Sequence, residues 1–157
     1  MTSTGTSAFP TTEASADARE DVGLDVFLAT DHCRQLLSSV RVARVGFIDD
    51  GKPQLIVMNH FVDGADILLQ TSEDTRLAAL SRDGAVLDAV VEADSVQTSG
   101  RTGWSVVASG TLTRDTSSAI GRMPIPWRPN AVGVLLRLTV DVITGRQVES
   151  DRRLNNL

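Results

Sequence analysis

The sequence of 157 residues is poor in cysteine and in long apolar runs. Its one cysteine, Cys33, has no partner for an internal disulfide and no zinc-site spacing, so we interpret it as a buried thiol in a reducing compartment. No run of about eighteen apolar residues is present, and residues 1–20 have neither a basic start nor an apolar stretch. These absences predict no membrane span and no secretory signal, and hence a cytoplasmic protein.

Basic residues are also fewer than acidic residues. The chain has 15 Lys and Arg against 20 Asp and Glu, which gives a net charge of −5. Because a protein that neutralises nucleic-acid phosphates needs a basic surface, this balance argues against nucleic acid as a partner. The sequence also lacks a Ser-His-Asp set, a P-loop, a dinucleotide fingerprint and a metal-ligand cluster. It therefore predicts no metal site, and redox chemistry would depend on a bound cofactor.

The start of the chain differs in composition from the rest. Residues 1–20 are rich in Ser, Thr, Ala and acidic residues and contain too little apolar surface to offset the entropy of ordering. We interpret them as a disordered tail. Residues 21–157 contain no repeat or linker and have the length of one domain.

Hydrophobic periodicity in this domain predicts a mainly β fold with short helices. Helices are expected at 30–39 and 72–82, the second capped by Ser72. In the last strand the alternation predicts that Val140 and Val142 face inward. The sheet is expected to close, since closure removes its edges, into a six-stranded antiparallel barrel. The predicted strands cover residues 42–48, 54–62, 67–71, 86–93, 104–113 and 134–143.

Five short motifs follow this order of elements. They are HCRQLL at 32–37, VGFIDDGKP at 45–53, MNH at 58–60, GWSVV at 103–107 and ITGR at 143–146. In this order and spacing the chain resembles the pyridoxamine 5′-phosphate oxidase-like family of flavin-binding split barrels, over roughly residues 26–149. The resemblance implies a split barrel that forms a homodimer, with two clefts between the protomers. It also implies that each cleft binds FMN, with a deazaflavin, haem or no cofactor as the alternatives.

The resemblance places the cofactor phosphate after the third strand. Family members hold it with an Arg-Thr pair and a basic residue on the next helix. Here Gln70 stands in the arginine position, Thr71 and Ser72 supply hydroxyl groups, and Arg76 is the basic residue. A helix N-terminus favours anions as well. The other interpretation of Thr71, Ser72 and Arg76 is a helix cap beside a solvated arginine.

Further candidates surround the position expected for the flavin ring. Asn59 and His60 end the second strand, where His60 is either a proton donor to the cofactor or a structural histidine. Trp104 and Trp127 either contact the planar cofactor or pack in a core or interface. Arg146 either faces the pocket or pairs with an acidic residue near the C-terminus. The predicted cofactor-binding residues are Asn59, His60, Gln70, Thr71, Ser72, Arg76, Trp104, Ser105, Trp127 and Arg146.

These features predict a flavin-dependent oxidoreductase that acts on a small organic molecule, with its catalytic residues unassigned. The alternative is a non-catalytic dimer of the same fold that has lost flavin binding or binds another ligand. Gln70, Glu73 and Asp74 motivate this alternative, because an amide and two carboxylates offer a phosphate less than basic side chains do. Pyridoxamine phosphate is not the expected substrate, since a set of basic residues for a second phosphate is lacking.

Overall fold

The computed structural model describes residues 24–97, 102–117 and 133–149. The predicted tail, residues 1–20, and Trp127 lie outside these ranges. The described residues form seven strands and two helices. In chain order these are β1 Leu24–Phe27, α1 Thr30–Ser39, β2 Val42–Asp49, β3 Lys52–Asp63, β4 Asp66–Ser72, α2 Arg76–Leu80, β5 Leu87–Gln97, β6 Thr102–Arg114 and β7 Gly133–Glu149.

Six of the strands form a closed antiparallel ring. Around it, β7, β4, β3, β2, β5 and β6 are successive neighbours, and β6 pairs back with β7. The predicted closed antiparallel sheet is therefore confirmed. A further strand, β1, lies beside the second half of β7, in line with β4. This strand is missing from the prediction, because four residues are too few to show a period.

Alternate residues of the strands fill the interior of the ring. Because side chains on a strand point to opposite faces in turn, the strands of the ring contribute alternate residues to the core. The helices add Cys33 and Leu37 from α1 and Leu77 and Ala78 from α2. Cys33 is the buried thiol that the sequence predicts. Strand residues of the core include Ala43, Val45, Phe47, Met58, Ile67, Leu69, Ala89, Val91, Ala93, Val106, Ala108, Leu112, Val134, Leu136 and Leu138.

A bulge in β7 reverses the predicted orientation of Val142. Ser109 of β6 pairs with Val142 whereas the next residue, Gly110, pairs with Val140, so Asp141 is an extra residue on β7. One inserted residue shifts the alternation by one position beyond it. Val142 is consequently 56% exposed on the outer face, and the prediction that it faces inward is wrong.

The two helices differ in how well their limits are predicted. Helix α1 spans the predicted 30–39, whereas α2 is only five residues long. The side chain of Thr75 caps α2, and Ser72 is the last residue of β4, so the predicted cap at Ser72 is wrong. The error arises because Ser72 and Thr75 are both suitable caps and the sheet pairing of Ser72 decides between them. Neither helix is long or apolar enough to cross a membrane.

Candidate functional site

The turn between β4 and α2 holds the predicted phosphate-binding residues Thr71 and Ser72. The Thr75 hydroxyl accepts from the amide of Ala78 at 3.2 Å and donates to the Ser72 carbonyl at 2.9 Å. Thr71 Oγ1 lies 2.9 Å from Thr75 Oγ1. Since the one hydroxyl proton of Thr75 goes to Ser72, Thr71 is the donor in that contact. The turn is thus closed by its own hydrogen bonds, and a helix as short as α2 adds little dipole.

Arg76 lies at the first position of α2 and contacts the end of β2. Its Nε donates to Asp49 Oδ2 at 2.7 Å and its Nη2 donates to Asp49 Oδ1 at 2.6 Å. Hydrogen bonding with Arg76 lowers the pKa of Asp49, and the same bonds raise the pKa of Arg76. The Arg76 side chain is nevertheless 62% exposed. A guanidinium has five N–H donors, so a bidentate pair leaves three of them for another anion.

Glu73 in the same turn is neutralised by two arginines. Arg114, at the end of β6, donates from Nη2 to both carboxylate oxygens at 3.1 and 3.3 Å. Arg82 donates to Glu73 Oε1 at 3.1 Å. The hydrogen bond from Arg114 is the main cause that lowers the pKa of Glu73. Of the two carboxylates expected to disfavour a phosphate, that of Glu73 is therefore balanced within the fold, and Asp74 is exposed.

Asn59 and Gln70 face each other across β3 and β4. Both are half-buried and lie on the outer face, because Met58 and His60 on either side of Asn59 point inward. Gln70 Oε1 is buried without a hydrogen-bond partner. A Cβ atom at Gly133, on the neighbouring β7, would lie 2.9 Å from Gln70 Nε2. Gln70 thus packs over Gly133 next to the turn and supplies an amide in place of a charge.

His60 lies inside the ring and contacts α1. The residue is 3% exposed, and its Nε2 is 2.9 Å from the carbonyl oxygen of Leu37. The backbone amide of His60 donates to the carbonyl of Arg41 at 3.0 Å. Burial is the main cause that lowers its pKa, so the neutral imidazole is favoured. In this position His60 joins β3 to the end of α1.

Trp104, Ser105 and Arg146 line one cleft of about 520 Å³. Ser105 and Arg146 are directly opposed on β6 and β7. Arg146 also lies over the ring of Phe27, 5.7 Å from its centroid, which is a cation–π distance. Trp104 packs partly against the core and also lines the cleft, so its packing role is confirmed and its contact with a planar cofactor stays a prediction. The cleft is within the usual size range of small-molecule sites.

The acidic side of this cleft is internally paired. Glu92 and Asp94 of β5 both line the cleft, and Arg44 donates to them at 2.9 and 2.5 Å. Hydrogen bonds to these carboxylates raise the pKa of Arg44. Within residues 24–97, 102–117 and 133–149, no group of three or more His, Cys, Asp or Glu is placed to hold a metal ion.

The predicted site residues fall into two groups at opposite ends of β7. Thr71 and Ser72 are opposite Val134 and Gly133 at the beginning of β7, whereas Ser105 is opposite Arg146 near its end. At about 3.3 Å per residue, the twelve steps along the chain from Val134 to Arg146 span roughly 40 Å of strand. The structure therefore brings Gln70, Thr71, Ser72 and Arg76 together, brings Trp104, Ser105 and Arg146 together, and separates the two groups.

Apolar side chains are exposed on the outer face of β2, β3, β5, β6 and β7. Leu55 and Val57 are 67% and 68% exposed. Leu55, Val90 and Ile48 also line an open groove of about 630 Å³. Neighbouring strands place these side chains in adjacent rows across the face. We call this set the apolar face: Ile48, Leu55, Val57, Val90, Val107 and Val142.

Comparison with known proteins identifies the family. The family model described as pyridoxamine 5′-phosphate oxidase matches residues 29–147. The chain belongs to this family. It is 30% identical over 142 residues to the uncharacterised protein Rv0080 of Mycobacterium tuberculosis, covering 87% of this chain and 91% of that protein.

Solved structures share the fold of this pyridoxamine 5′-phosphate oxidase family member. The FAD binding protein of Mycobacterium smegmatis matches with a TM-score of 0.62 at 23% identity, over 79% of this chain and 98% of that one. The FAD and heme binding protein of the same organism matches with a TM-score of 0.60 at 14% identity, over 78% and 72% of the two chains. At these identities the likeness concerns the fold.

Two residues beside the predicted phosphate end of this family member are not foreseen from sequence. Asp49 belongs to the motif at 45–53, which carries part of the family resemblance but assigns Asp49 no role. Arg114 stands 41 residues from Glu73 and has no motif around it. No sequence signal distinguishes either residue from other charged residues at strand ends, because their partners are set by the topology of the ring.

Proposed function

We propose that this chain binds a flavin nucleotide at a site shared by two copies of the chain, and that it is a flavin-dependent oxidoreductase acting on a small organic molecule. The observation that carries this proposal is the placement of the candidate residues at two ends of β7. Thr71 and Ser72 lie at its beginning, which we call the phosphate end, and Trp104, Ser105 and Arg146 lie near its other end, which we call the aromatic end. Family membership supports a flavin. So do the names of two structural neighbours, which describe FAD binding.

The phosphate end fits an anionic group. Arg76 is exposed and retains N–H donors beyond those used by Asp49. Arg82 and Arg114 balance Glu73, so the turn does not present an unpaired carboxylate at that residue. A phosphate bound beside Ser72 and Arg76 would make charge-assisted hydrogen bonds, which are the stronger kind.

The aromatic end fits a planar ring with polar edges. In the cleft Ser105 offers a hydroxyl group and Arg146 a positive charge, and Trp104 lines the cleft while packing partly against the core. A bound flavin supplies hydride or electron transfer, and the protein orients it and sets the polarity around it. Arg146 would stabilise negative charge at the ring, while Ser105 would orient one of its polar edges.

A second copy of the chain is the proposed occupant of the apolar face. The ribityl chain between the ring and phosphate of a flavin is much shorter than the stretch of β7 between the two groups. Two copies packed through this face would allow the phosphate end of one to approach the aromatic end of the other. The exposed Leu55 and Val57 and the adjoining groove support such a contact, since apolar patches of this kind mark association surfaces.

The proposal is tested by purifying the protein and recording its visible spectrum and its mass by sedimentation. FMN, FAD and a deazaflavin are then titrated separately, which distinguishes the FMN expected from sequence from the FAD named for the neighbours. We expect a dimer with micromolar or tighter affinity for one of them. Arg76→Gln should weaken FMN binding by roughly tenfold to a hundredfold. Absence of flavin absorption together with absence of binding to all three would refute the proposal.

A second candidate is a dimer without catalysis. It is favoured by Gln70, whose amide stands in the position of the family's arginine and has an unpartnered carbonyl oxygen. A flavin-loaded protein that oxidises no reduced nicotinamide and reduces no artificial acceptor would support this candidate. Steady turnover in that assay would exclude it.

A further inference from the structure

The carboxylate of Asp49 holds the guanidinium of Arg76 in one plane. The two hydrogen bonds, at 2.7 and 2.6 Å, run from two nitrogens to two oxygens, which is the bidentate arrangement with the greatest geometric specificity. Asp49 is largely enclosed, with its side chain 16% exposed, whereas Arg76 is 62% exposed. The acid is thus anchored in the fold, and the arginine presents its free edge to solvent.

Both partners are carried by rigid backbone. Asp49 ends β2 just before a two-residue turn in which Asp50 and Gly51 have φ angles of 50° and 70°. Two successive residues in this left-handed region are typical of the tight hairpin turn that matches strand twist. Arg76 is fixed from the other side because Thr75 caps α2 and Leu77 is buried in the core. The exposed side chain of Arg76 is therefore held by Asp49, a residue 27 positions earlier in the chain.

Two opposite consequences follow from a carboxylate at this position. The charge of Asp49 offsets that of Arg76, which would weaken attraction of an anion. The same contact removes much of the rotamer freedom of Arg76, so less entropy is lost when a ligand is bound. Because Arg76 is exposed, water screens the charge effect, while the bidentate geometry persists. The ordering effect is therefore the larger one.

We propose that Asp49 is a positioning residue that presents the remaining N–H donors of Arg76 to the phosphate of the bound flavin nucleotide. This inference rests on the proposed function and adds to it the residue that orients the phosphate contact. Asp49 itself does not touch the ligand.

The test compares Asp49→Asn with Asp50→Asn. Both variants remove one negative charge near Arg76, but only the first removes the bidentate contact; asparagine is also well tolerated at the left-handed φ of residue 50. Affinities for FMN and for riboflavin are measured, since riboflavin lacks the phosphate. We expect Asp49→Asn to weaken FMN binding by about tenfold and to leave riboflavin binding within about twofold. Asp50→Asn should leave the ratio of the two affinities unchanged.

The outcomes separate this inference from the proposed function. Unchanged or tighter FMN binding by Asp49→Asn, with weaker binding by Arg76→Gln, would overturn the positioning role while leaving flavin binding intact. A wild-type protein that binds neither flavin would refute the proposed function. In that case the positioning role of Asp49 is tested separately, by following the NMR signal of Arg76 Nε–H during titration with inorganic phosphate. A shift in the wild type that is lost in Asp49→Asn supports the positioning role, and equal shifts refute it.

Discussion

The inner and outer faces of the same strands carry similar apolar side chains in different surroundings. On the inner face, Val45 and Val91 are fully buried, while on the outer face Leu55 and Val57 are mostly exposed. Burial of the inner residues lowers the free energy of the folded monomer. The outer residues can contribute only when another surface covers them. One face of the ring thus stabilises the folded monomer, and the other is the face through which the proposed second copy would pack.

The largest contrast is expected for truncation of one residue on each face. Leu136→Ala should lower the free energy of unfolding by about 2–5 kcal/mol, because Leu136 is fully buried and its removal leaves a cavity. Val57→Ala should change it by less than about 0.5 kcal/mol. Urea unfolding of both variants at the same low protein concentration measures the difference. Equal losses would show that the outer face is part of the monomer core.

A second contrast concerns two arginines on the outer face. Arg137 joins β7 to the β3–β4 hairpin and to the end of β6, donating to Asp63, Asp66 and Asp115 at 2.9, 3.2 and 3.0 Å. Arg137→Met should cost about 2 kcal/mol of stability, since it leaves three carboxylates close together without a cation. Arg44→Met is the matched control, because Arg44 pairs with carboxylates in a more exposed place and should cost much less. Comparable losses of stability for the two variants would contradict the expectation that burial around Arg137 makes its ion pairs stronger.

The inner face also contains a titratable group. Since burial lowers the pKa of His60, the folded state favours the neutral ring, and the unfolded state, with a pKa of about 6.5, binds a proton more readily. This contribution to stability is present above about pH 6.5 and is lost as the pH falls toward the folded pKa. The carboxylates with lowered pKa values lose their contributions only in more acidic solution, below about pH 4.

Between pH 7.5 and 5.5 the wild type should therefore lose about 1 kcal/mol of unfolding free energy that His60→Gln does not lose. His32→Gln, which replaces a histidine on the exposed surface, is the control variant. Unfolding curves at a series of pH values measure both. An identical pH dependence in all three proteins would mean that His60 does not titrate differently on folding.

The fold could be predicted from the sequence more completely than the candidate site, for a physical reason. The spacing of Cys33 and Leu37 and the alternation along the strands are local signals, and they predicted α1 and the closed sheet. The orientation of Val142 depended on pairing with β6, which local alternation does not contain. Within the candidate site, Thr71 and Arg76 were predicted together because they are close in sequence.

Long-range ion pairs were the part that could not be predicted. Arg114 and Glu73 are 41 residues apart, and the chain contains many charged residues that would pair equally well in isolation. Which charges meet is decided by strand order and register. The sequence therefore predicted a candidate phosphate site but not how the nearby carboxylates are balanced. Asp49 is the clearest case, since its motif was recognised and its contact with Arg76 was not.

The smallest effect on monomer stability, and the largest on assembly, is expected on the apolar face. Leu55→Lys combined with Val57→Lys places two charges where the proposed second copy packs, and burying unpaired charges at an interface is unfavourable. Sedimentation should change from dimer to monomer, and FMN affinity should fall because each site needs both copies. Gln35→Lys with Ser38→Lys, on the exposed side of α1, adds the same charge as a control. If the Leu55 and Val57 double variant stays dimeric, another surface joins the copies; if the wild type is a monomer at high concentration, the shared site itself is wrong.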